Sequence, residues 1–91
     1  MISAKKAREL RVRAENKNYL FHDDILKICE KEINDSIKNY FGRQIRVVIA
    51  QKNTSLKTAK RVKKTLRRLG YSSVKVTDSS KGLNYYIDFE Y

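Results

Sequence analysis

Between positions 57 and 68 the chain carries Lys57, Lys60, Arg61, Lys63, Lys64, Arg67 and Arg68, with no carboxylate among them. Cationic side chains at three- and four-residue spacing neutralise phosphate or carboxylate groups rather than turn substrates over. Just upstream lie Lys52, Asn53, Thr54 and Ser55, ahead of a predicted helix whose first backbone amides favour an anion. That turn is a candidate site for a phosphate or a small signalling nucleotide. The plainer reading is that Thr54 or Asn53 caps the helix. No glycine-rich phosphate loop accompanies it.

Other reactive residue types lead to quieter readings. His22-Asp23-Asp24 has the composition of a general base or a metal site, but carboxylates at a helix start are accounted for by the helix dipole. Cys29 is the sole cysteine and His22 the sole histidine, which excludes an intramolecular disulfide and a Cys/His zinc site. Cys29 falls on an apolar helix stripe and reads as a small core residue. Tyr86 is expected on the outer sheet face near Arg46 and Lys75, where cross-strand pairing is the default and stacking on a base the alternative. No catalytic constellation, metal site or cofactor follows from these residues, and the chain is expected not to be an enzyme.

The formal net charge is +11 over 91 residues, from 21 basic and 10 acidic side chains. It is unevenly distributed. From Arg43 to Thr77 there are eleven Lys or Arg residues and no Asp or Glu, whereas the remainder carries ten of each sign. Such asymmetry costs self-repulsion in the fold and favours anionic partners. The acidic residues Asp23, Asp24, Glu30, Glu32 and Asp35 gather on a predicted second helix and offer a counter-surface for association between copies.

These groups must be positioned by a single small domain over 1–91, in which 1–18 forms a basic helix that need not join the core. Ser3 is an N-cap for that helix, which runs to about Glu15 with Ala4, Ala7, Leu10 and Ala14 on its apolar side. A second helix is expected from Tyr19 to Phe41, striped by Phe21, Ile25, Cys29, Ile33, Ile37 and Phe41, broadened by Ile28 and Tyr40 and stopped at Gly42. From Arg43 to Ala50 the apolar period falls to two, marking a strand. A third helix spans Ser55 to Leu69 and ends at Gly70; a short strand covers Ser73 to Thr77. The loop 78–82 leads into a last strand, Leu83 to Tyr91, with Leu83, Tyr85, Ile87, Phe89 and Tyr91 on one face. The expected fold is two-layer α+β in the order α-α-β-α-β-β. Its sheet is three-stranded and mixed, with the last strand in the centre and the helices on one face.

Projected at about 100° per residue, Leu56, Ala59, Val62, Leu66 and Leu69 form one stripe of the third helix. Lys57, Lys60, Arg61, Lys64 and Arg68 centre on the opposite side, with Lys63 and Arg67 at a flank. Like charges four residues apart, as in Lys57/Arg61, Lys60/Lys64 and Lys64/Arg68, destabilise a helix by a few tenths of a kcal/mol each. No glutamate within the helix relieves them. The ridge is expected to contact nucleic acid or another polyanion; a solvated lysine-rich face and an acidic protein surface are the competing readings. No helix-turn-helix, zinc finger or aromatic-rich sheet motif suggests a sequence preference. No apolar run approaches the roughly 18 residues that cross a bilayer, and the start Met1 to Lys6 lacks the apolar core of a signal peptide. A cytoplasmic location is expected, with no membrane partner.

The opening Met1-Ile2-Ser3-Ala4-Lys5-Lys6-Ala7-Arg8, the helix stop Leu69-Gly70-Tyr71 and the aromatic closing hairpin resemble small uncharacterised bacteriophage accessory proteins. The resemblance covers most of the chain in layout. It implies an accessory role in the cytoplasm of an infected bacterium, and adds binding and modulation of an acidic host protein, or self-association, as an alternative to a polyanion.

Overall fold

A computed structural model describes residues 1–39, 42–79 and 81–91. The elements run α1 (Ala4–Glu15), α2 (His22–Lys38), β1 (Gln44–Ala50), a 3-10 turn (Gln51–Asn53), α3 (Leu56–Arg68), β2 (Ser72–Asp78) and β3 (Asn84–Glu90). The fold is α+β, and its helix and strand order is the expected one.

The sheet order is β1-β3-β2, with the last strand in the centre. Both neighbouring pairs are antiparallel, so the expectation of a mixed sheet is corrected. The reason is the central strand itself. β1 and β2 flank α3 in sequence and run in the same direction, but β3 lies between them and removes any parallel contact. In β1 the alternation places Ile45, Val47 and Ile49 inward and leaves Gln44, Arg46 and Val48 outward. Val74 of β2 and Ile87 and Phe89 of β3 complete the inner face. Against it pack Ile25 and Cys29 of α2 and Ala59, Val62 and Leu66 of α3, all buried. Tyr71, after α3, sets its ring edge-on to Phe89 at 5.4 Å between centroids.

α2 is shorter than its stripe suggests. It starts at His22, because Tyr19 to Phe21 is held outside the helix: Tyr19 N–H donates to the Asn16 carbonyl and Leu20 N–H to the Asn53 carbonyl at 2.6 Å. It ends at Lys38, with Asn39 as C-cap; Tyr40 and Phe41 lie outside the described residues. A strict four-residue spacing advances by about 40° per step around a helix of 3.6 residues per turn. The stripe therefore winds off the core: Ile25 and Cys29 are buried, Ile33 is half-buried, and Ile37 is 55% exposed. Ser36 nonetheless secures this end of the helix. Its hydroxyl donates to the Gly42 carbonyl at 2.9 Å and meets the Tyr91 hydroxyl at 3.0 Å.

α1 starts at Ser3, whose hydroxyl accepts from the Lys6 N–H. No residue of α1 is buried, and the expected apolar side is open, with Leu10 47% exposed. Its C-terminal end is tethered. Arg13 pairs with Asp24 at 2.6 Å and lies over the Phe21 ring, and the Asn16 amide donates to the Lys52 carbonyl. No described helix is long and apolar enough to cross a membrane.

Candidate functional site

α3 begins at Ser55, whose hydroxyl accepts the Thr58 N–H at 3.1 Å. The cap is thus Ser55, and not Thr54 or Asn53 as expected. Thr54 is buried and donates its hydroxyl to the Leu20 carbonyl, while the Asn53 side chain takes up the Asn16 amide. The proposed anion turn at Lys52, Asn53, Thr54 and Ser55 therefore has the side-chain oxygens of Asn53 and Thr54 engaged with the segment that links α1 and α2, and that of Ser55 in capping α3. Lys52 alone of the four points a charge to solvent. At the far end Gly70 takes φ 96°, a left-handed conformation that only glycine adopts freely, and stops the helix.

The helix faces two ways. Ala59, Val62 and Leu66 are inside, while Leu56 and Leu69, the ends of the predicted stripe, are 38% and 66% exposed. Leu56 sits about 90° from the centre of the buried arc, and Leu69 follows the last helical residue. On the outer side Lys57, Lys60, Arg61, Lys64 and Arg68 are exposed. Among the described residues, none of these five has a carboxylate oxygen within 4.0 Å. The flank pair behaves differently. Lys63 is half-buried, and Arg67 donates to the Val74 carbonyl of β2 at 3.3 Å. Seven candidate residues thus separate into five free cations on the ridge and two at its flank, of which Arg67 reaches the sheet.

Several polar groups outside the ridge are matched within the chain. Arg46 makes a two-pronged contact with Asp88, at 2.7 and 3.3 Å, and covers the Tyr86 ring at 4.9 Å. The hydrogen bonds that Arg46 donates to Asp88, and then the charge of that carboxylate, raise the Arg46 pKa above its ordinary value. Tyr86 is therefore covered by a cross-strand partner on the outer sheet face, as its register opposite Val48 and Thr77 dictates. Asp24 accepts the Phe21 N–H at 2.9 Å and caps α2. His22 bridges Asp23 at 3.1 Å and the Thr65 hydroxyl of α3 at 2.8 Å, a structural link between two helices. Burial pushes the Cys29 thiol up to about 12, which keeps it protonated and a poor nucleophile at neutral pH. Among the described residues no group of three or more His, Cys, Asp or Glu side chains is placed to hold a metal ion.

One juxtaposition was not legible in the sequence. Lys5 and Lys6 of α1 line a cleft of about 320 Å³ together with Thr58 and Arg61 of α3. The shared signal is that both helices start at a serine cap, carry no acidic residue in the first turn and place lysines there instead. What brings the two helices together, the Arg13–Asp24 pair and the Asn16 contacts, is long-range and leaves no periodic trace. No protein-family model, curated protein or solved structure matches this chain.

Proposed function

We propose that the protein is a non-enzymatic binding module that holds nucleic acid by its phosphate backbone along the outer face of α3. The observation that carries this reading is the row Lys57, Lys60, Arg61, Lys64 and Arg68, exposed and, among the described residues, unpaired on a helix whose opposite side is buried. Phosphates would relieve a repulsion that the protein leaves unrelieved. The outer row contains no aromatic side chain on which a base could stack. This favours the backbone of a duplex over splayed single-stranded bases, and contacts of that kind carry no sequence information directly.

The experiment is titration of labelled duplex DNA and RNA at two salt concentrations, with a Lys60→Glu/Lys64→Glu/Arg68→Glu variant alongside. Four or five phosphates engaged by α3 correspond to a log–log salt slope near about −4 on duplex DNA. The triple variant should weaken binding by about a thousandfold or more, out of the measurable range at moderate salt. Absence of binding at low salt, or a triple variant that binds as the parent does, removes the reading. Stoichiometric capture of one acidic protein instead of nucleic acid would transfer the ridge to a protein partner.

A further inference from the structure

We infer that α1 is a second phosphate-contacting element of the same surface, so that one duplex is held by α3 and, across the cleft, by the first half of α1. The inference rests on the polyanion reading of α3 and adds a partner element to it.

Three observations carry it. First, α1 contributes nothing to the core: none of its residues is buried, and its attachment is confined to its C-terminal end. A free helix of 12 residues is marginal in water, so a helix that stands away from the core gains from a ligand that orders it. Second, its charges divide by position. Arg11 pairs with Glu15 and Arg13 with Asp24, whereas Lys5, Lys6 and Arg8 have no carboxylate oxygen within 4.0 Å among the described residues. Lys5 and Lys6 occupy the first turn, where the helix dipole disfavours cations. Third, Lys5 and Lys6 stand on the same cleft as Arg61, so the unpaired charge of α1 continues that of α3.

The acidic groups of the cleft do not cancel this continuity. Asp24 is held by Arg13 and the Phe21 N–H. Asp23 and Glu9 are the remaining carboxylates, set against the cations Lys5, Lys6, Lys27 and Arg61 on the same walls. A backbone that follows α3 to Arg61 therefore meets a further cationic lip.

The test is the salt dependence of binding to a random-sequence DNA duplex longer than the 43 Å extent of the protein, about 20 base pairs at roughly 3.4 Å each. Two or three added phosphate contacts steepen the slope from about −4 to about −6. Between about 50 and about 200 mM salt the parent should lose affinity several thousandfold, and a Lys5→Glu/Lys6→Glu/Arg8→Glu variant only a few hundredfold. Glutamates in a first turn favour the helix, so weaker binding would not reflect a melted α1; far-UV circular dichroism checks this. A Lys5→Gln/Lys6→Gln/Arg8→Gln variant excludes new repulsion as the cause and should show the same flatter slope. A parent slope near about −4 that neither variant changes overturns the role of α1 while leaving α3 intact. No binding by the parent at low salt overturns both.

Discussion

α2 and α3 lie side by side over the same sheet, and they treat charge in opposite ways. α2 opens on Asp23 and Asp24, where its dipole favours carboxylates, and closes near Lys38. Asp24 caps the helix and pairs with Arg13, so its charge is used twice inside the protein. α3 opens on Lys57 with no acid in the first turn, and none of its outward cations is matched within the chain among the described residues. Both helices bury an apolar side against the same core. The difference lies on the outer surfaces: the first-turn carboxylates of α2 are matched within the chain, and the outward cations of α3 are not, among the described residues.

Substitutions can break this contrast, and the largest effect is expected on the shared core. Leu66→Ala removes a side chain that is 2% exposed and should cost about 2–5 kcal/mol. Denaturant unfolding measures the loss, and a cost below about 1 kcal/mol would mean that α3 is not anchored as described. Next come the caps. Ser55→Ala on α3 should cost about 1 kcal/mol. Asp24→Ala on α2 should cost more, up to about 2 kcal/mol, because it also releases Arg13. Equal losses would show that the Arg13 pair adds nothing to stability. The smallest effect has the opposite sign. Lys60→Glu replaces a repulsive pair with an attractive one toward Lys64, and should raise thermal stability by a few tenths of a kcal/mol while weakening nucleic-acid binding. A corresponding reversal on α2, Glu30→Lys, should leave binding no weaker.

Much of this contrast could be read from the residues alone, and the reasons are local. Ser3, the apolar arc of α3, the alternation of β1 and the glycine at 70 each act within a few positions, and each element formed within a few residues of where it was expected. The central place of β3 was legible because Ile87 and Phe89 alternate with polar neighbours in a strand paired on both edges. The hairpin of β2 and β3 is antiparallel as expected, but the sheet was expected to be mixed because strand order, and not the direction of β1 relative to β2, decides which edges meet. The start of α2 was misplaced because the Leu20 N–H is held by Asn53, 33 positions away. The approach of α1 to α3 depends on Arg13 and Asn16 reaching other elements, which periodicity does not encode. Of the candidate site, the helical projection already set Lys63 and Arg67 at a flank of the five outward cations. The geometry adds what that flank meets, through the bond from Arg67 to the Val74 carbonyl.

The central claim is that the outward row of α3 is where a polyanion lies. The most direct measurement is an amide chemical-shift titration of the labelled protein with duplex DNA at low salt. The account predicts the largest changes between positions 57 and 68, with the outer sheet face around Arg46 and Tyr86 unmoved. Changes centred on that sheet face, or an unaltered spectrum at saturating DNA, would contradict it.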